Sequence, residues 1–104
     1  MSTTPLQTAG HWTFLTNHSH VLLSIARNGA LRLRDIAEIV GITERAVHRI
    51  VTDLTASGYL DVTRAGRCNV YIVHPEKKLR HPIEAHRQVS DLIELIEHGF
   101  PPGQ

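Results

Sequence analysis

Between Leu33 and Ser57 the apolar and small residues form two short runs at helical spacing, separated by a break. Ile36, Ala37 and Val40 fall on the inner face of one helix, and Val47, Ile50, Val51 and Leu54 on that of the next. Gly41 and Ile42 lie between them. Two helices crossing at a tight turn need these residue types. Ala37 is small where the helices approach, Gly41 takes a left-handed C-cap conformation without Cβ cost, and Ile42 fills the corner. Thr43 is placed as the N-cap of the second helix, with Glu44 in a first turn that favours negative charge. The pattern predicts a helix-turn-helix.

The flanking segments extend it. Residues 1–10 are polar, with Pro5 and Gly10, and read as a flexible N-terminus. Trp12 and Phe14 alternate with threonines, as in a short extended arm packed on the domain or on a second copy; the sequence leaves both open. Thr16 or Asn17 caps a helix over about 18–27, with Val21, Leu22, Ile25 and Ala26 inward and Asn28 and Gly29 as its stop. Residues 31–33 read as a short β-like step. Past Gly58, residues 59–63 alternate as a strand and residues 70–73 return it. The glycine-containing connection, 64–69, carries Arg64 and Arg67 at its tip. Pro82 is placed to start a last helix, where Val89, Leu92, Ile93, Ile96 and Phe100 recur at helical spacing and Leu95 widens the stripe. Burying five such side chains supplies on the order of 5 to 10 kcal/mol before ordering costs, and the expected cover is the same face of a second copy. Residues 100–104 read as a flexible tail.

Function is carried by the other face of the second helix. Glu44, Arg45, His48, Arg49 and Thr52 lie off the apolar stripe and project from the half that enters a DNA major groove in this motif. An arginine donates two hydrogen bonds to a guanine edge, and the others pair with bases or phosphates. An ordinary solvated charged face has the same spacing. The basic hairpin that follows favours the first, because it can lie along the backbone or reach the minor groove; by itself such a hairpin reads equally as a solubilising loop, and it is the preceding helix that makes it a wing.

Helix, short strand, helix-turn-helix and basic hairpin in this order resemble the winged-helix transcription regulators of the MarR and ArsR type over residues 13–73. The stretch DIAEIVGITERAVHRIVTDLTASGYL resembles their DNA-reading segment. The resemblance implies a homodimer on a near-palindromic operator, with Thr43, Glu44, Arg45, His48 and Arg49 on the recognition helix and Arg64 and Arg67 in the wing. The expected fold is mainly α with a small β-hairpin (α+β): a winged helix-turn-helix over 11–81 with an added C-terminal dimerisation helix over 82–99. Arg45, His48 and Arg49 are the residues expected on bases or phosphates. Winged helices also serve as protein-interaction adaptors, which is the alternative reading, and structured RNA would engage the same phosphate-binding residues.

Net charge is only +1, but it is unevenly spread. Residues 27–80 hold ten Lys or Arg against six Asp or Glu, whereas residues 81–104 hold one against four. The middle of the chain can therefore face phosphate and the tail cannot. A single cysteine, Cys68, excludes an internal disulfide framework and fits a reducing compartment. Beside Arg64 and Arg67 it is a candidate redox sensor, although a lone cysteine beside charges is usually inert. No stretch approaches the ~20 apolar residues of a membrane span, so a cytoplasmic protein with no membrane partner is expected. A small-molecule effector is left open.

Eight histidines raise the question of a metal. Metal-sensing ArsR-type proteins carry an Asp-x-His pair on the last helix and a second pair about three turns later. Glu84 and His86 resemble the first; Glu97 and Phe100 match the second, with His98 nearby. Phe100 cannot ligate, so Glu84, His86, Glu97 and His98 are named as candidates while no metal or other cofactor is expected. Glycine-rich phosphate loops, nucleophile elbows and paired carboxylates are missing from the sequence, and no catalysis is expected.

Overall fold

Six elements follow one another in the computed structural model, which describes residues 12–98: α1 (Asn17–Arg27), α2 (Leu33–Val40), α3 (Glu44–Ala56), β1 (Leu60–Ala65), β2 (Cys68–Val73) and α4 (Val89–His98). Local chemistry sets the early boundaries. The Thr16 hydroxyl accepts from the Ser19 N–H at 3.3 Å and starts α1. Arg32 cannot cap α2 with its own side chain, so the Asp35 carboxylate accepts from the Arg32 N–H at 3.2 Å. Gly41 ends α2 in the left-handed region, φ 87°, with its N–H on the Ala37 carbonyl at 2.8 Å. Thr43 then accepts from the Ala46 N–H at 3.0 Å and opens α3.

The three helices and the hairpin enclose one core. Val21, Ile36, Val47 and Leu60 are fully buried, and Ile25 and Val89 nearly so. Tyr59 and Tyr71 join them, with the Tyr59 hydroxyl donating to the Lys78 carbonyl. The core faces expected for α2 and α3 are those observed; on α1 Val21, Leu22 and Ile25 are buried as expected, but Ala26 is only half-buried, and Leu23 and Ser24 are buried as well.

Three expectations are corrected. Residues 31–33 form no strand: Leu33 is the first residue of α2, drawn into the helix by its Asp35 cap. One backbone bond, from the Tyr71 N–H to the Gly29 carbonyl at 2.9 Å, is the whole contact that a third strand would have extended. A Cβ at Gly29 would collide with the Tyr71 carbonyl, so only glycine permits this approach. The hairpin connection is two residues long rather than six. Ala65 pairs with Cys68, leaving Gly66 and Arg67 as the turn, with Gly66 at φ 67° as two-residue hairpin turns require.

The last helix begins at Val89, seven residues after Pro82. Backbone pairing claims the intervening chain. The Leu79 N–H donates to Arg87 and the Val89 N–H to Lys77, at 2.9 and 2.8 Å, with Lys78 and Gln88 forming a bridge. Residues 80–87 therefore reverse as a loop, leaving Ile83 76% exposed. The Asp91 carboxylate accepts from the Gln88 N–H at 2.9 Å and sets the helix start.

Candidate nucleic-acid interface

Along α3 the buried stripe Val47, Ile50, Val51 and Leu54 leaves Glu44, Arg45, His48, Arg49 and Thr52 exposed, as the spacing predicts. Arg45 and Arg49 form no salt bridge with any described residue. Thr52 spends its hydroxyl proton on the His48 carbonyl at 2.9 Å. Asp53, further along, takes His18 Nε2 at 3.0 Å and ties α3 to α1. In the N-terminal half of the exposed face the only carboxylate is Glu44. At the start of α2, Arg32 donates to Asp35 at 3.2 Å. That side-chain bond, with the Arg32 N–H, holds the Asp35 carboxyl below the ordinary carboxylate range and the guanidinium above its own.

The hairpin register sorts the wing residues into two faces. Pairing of Leu60 with Val73, Val62 with Tyr71 and Arg64 with Asn69 puts these six on one face. Leu60 and Tyr71 are buried, so this face meets the helices, and Arg64 lies on it. Its Nη1 reaches Asn69 Oδ1 at 3.5 Å. Arg67 instead sits in the turn, and Cys68 lies exposed on the opposite face. Sequence reading grouped Arg64 with Arg67 at a shared tip; the structure separates them. The hairpin root is fixed by His74, whose Nε2 lies 2.8 Å from Asp61 and whose Nδ1 lies 3.7 Å from Glu76.

Between α3 and the inner face of the hairpin runs an open groove of about 410 Å³. His48, Thr52 and Thr55 line one wall; Val62, Asn69 and Tyr71 line the other. Sequence reasoning missed Thr55 and Asn69. The signal for Asn69 was the strand register, which becomes readable once the turn is known to hold two residues.

The residues expected at a dimer interface separate as well. Val89 is 2% exposed within the core of its own chain, which corrects its assignment to the interface. Leu92, Ile93 and Ile96 are half-buried, with Ile93 packed against the core, and Leu95 is 69% exposed. Phe100 lies outside the described residues. Trp12 and Phe14 stack edge to face, 5.0 Å between centroids, and remain exposed rather than packed on the domain. Glu84 and His86 fall in the loop before α4 instead of on the helix, and Glu97 pairs with Arg27 at 3.4 Å. Among the described residues no three His, Cys, Asp or Glu side chains gather as a metal site, and no helix is long and apolar enough to cross a membrane.

Comparison with known proteins places this architecture. PcaV, a transcriptional regulator from Streptomyces coelicolor whose structure holds its natural ligand, superimposes with a TM-score of 0.54 at 20% identity. The match covers 85% of this chain and 64% of PcaV, so the chain spans under two thirds of that protein. IscR of T. potens gives a TM-score of 0.65 at 14% identity, over 92% of this chain and 96% of that one. At such identities the likeness is one of fold, a winged helix-turn-helix, mainly α with a small β wing. No curated protein matches the sequence significantly. A family model does, over residues 13–67 of the 104, from the residues before α1 to the turn of the hairpin. With more than half of its length matched, this chain belongs to the MarR family.

Proposed function

We propose that the protein is a transcription regulator that binds double-stranded DNA sequence-specifically as a homodimer. The N-terminal half of α3 enters the major groove, and the hairpin lies on the backbone or in the minor groove. The observation that carries the reading is the exposed pair Arg45 and Arg49, free of described ion-pair partners, on a helix flanked by a basic hairpin. Family membership and the likeness in fold to PcaV, a transcriptional regulator, support it. Dimerisation is supported by the apolar surface that α4 leaves uncovered at Leu92, Leu95 and Ile96. Two-fold symmetry gives two such helices successive major grooves to occupy. A groove of about 390 Å³ bordered by Leu22, Tyr59, Leu79 and Leu92 offers a place for a small-molecule effector.

Selection of duplexes from a random DNA pool, with the recovered sequences retested at two salt concentrations, tests this reading. The expected product is an inverted repeat with half-sites about one helical turn apart. Arg67→Ala weakens binding to every sequence and lessens its salt dependence. Failure to enrich any motif, with residual binding lost in modest salt, would instead indicate a winged helix that serves protein partners.

A further inference from the structure

The exposed face of α3 is not one surface. His48, Thr52 and Thr55, spaced by four and three residues, form a stripe along the groove beside the hairpin; Arg45 continues that stripe one turn nearer the helix N-terminus and Arg49 lies to its far side, and neither lines the groove. Across the groove stands Asn69, on the hairpin face that also carries Arg64. The Arg64 guanidinium donates to Asn69 Oδ1, which orients the amide so that its NH₂ group is the end left to donate outward.

Charge distinguishes this groove from its neighbours. The groove bordered by α1, α3 and the 79–92 segment contains Asp53 and Glu84, and the groove along α4 contains Asp91 and Glu94. No carboxylate lines the groove between α3 and the hairpin. Its polar groups are the His48 ring, the Thr52 and Thr55 hydroxyls, the Asn69 amide and the Tyr71 phenol, and Arg64, which does not line it, is bonded to Asn69 in its wall.

Resting on the DNA-binding reading, we infer that this groove holds one sugar–phosphate strand of the duplex, with His48 and Asn69 donating to phosphate from opposite walls and Arg64 supplying the charge. Base reading then belongs to Arg45 and Arg49. The two halves of the α3 face divide the work of grip and selection, and Asn69 is a binding residue of the wing. Arg64 acts with the helix, across the groove, while Arg67 acts alone from the turn.

The experiment uses the duplex recovered from the random pool and a scrambled duplex of the same composition. His48→Ala and Asn69→Ala are expected to weaken binding to both duplexes by the same factor, roughly tenfold as for a lost hydrogen bond to a charged acceptor, and to enrich the wild-type motif on reselection. Arg45→Ala narrows the gap between the two duplexes. Replacing single phosphates by neutral methylphosphonates locates the grip. At the phosphate held in the groove, neutralisation weakens the wild type but costs the His48→Ala protein much less. If His48→Ala or Asn69→Ala shifts the selected motif, or if no phosphate couples to His48, the groove does not hold the backbone and the inference falls while DNA binding stands. If the wild type selects no duplex, the DNA-binding reading falls and takes the inference with it.

Discussion

The helix-turn-helix and the segment from His74 to the end of α4 both carry apolar residues at helical spacing, yet the first has its boundaries set from within, whereas the second adds to its local Asp91 cap a pairing between separate stretches of backbone. Gly41, Thr43 and Asp35 act on backbone groups no more than four residues away, so the limits of α2 and α3 are local events. Residues 77–79 and 87–89 settle the later segment by pairing with each other and by lending Val89 to the core. Periodicity identifies which face of a helix is apolar. It does not say where the helix begins when another stretch of backbone competes for the same N–H and carbonyl groups.

The contrast can be broken from either side. The largest effect is expected in the shared core: Ile36→Ala should cost about 2–5 kcal/mol by chemical denaturation. Native-state hydrogen exchange should then show the α4 amides opening at lower free energy than those of α2 and α3, and Val89→Ala should widen that difference. Uniform protection of all the helices would mean that the C-terminal segment is as firmly joined to the core as the helix-turn-helix. A smaller effect, about 1 kcal/mol and a few degrees in Tm, is expected for Thr43→Ala, which removes the cap of α3.

The smallest effect concerns Asp35 and is seen through pH. Its folded-state pKa lies below the ordinary value because the Arg32 side chain and N–H bond the charged form. Such a group contributes stability above the unfolded carboxylate range and loses it as pH falls through the folded value. Asp35→Asn should therefore be slightly less stable than wild type at neutral pH, with the gap closing in acid. A gap that stays constant across the acid limb would show that the Arg32 contacts do not depend on the carboxylate charge.

What the sequence reveals follows the same division. The capped helices, the buried stripes and the outward set from Glu44 to Thr52 are legible because each rests on spacing within one helix. The two-residue turn is not, because Arg64, Ala65, Cys68 and Asn69 read as loop residues until their register partners are known. For the same reason the groove between α3 and the hairpin, with Thr55 and Asn69 in its walls, is invisible to a reading made one element at a time. The inward position of Val89 depends on the bridge between Lys78 and Gln88, ten residues apart, which no helical period announces.

The tight Gly66–Arg67 turn also imposes a parity rule on the wing. Side chains alternate between the two faces of a strand, so an insertion of one residue in β1 ahead of Arg64 would turn that arginine away from α3 while leaving composition and charge almost unchanged. Hairpins that lengthen by a matched pair in each strand would restore the alternation and carry the cation outward by about 7 Å. Variation in wing length among related chains should therefore come in even steps per strand, and an odd step should be accompanied by a bulge that resets the faces.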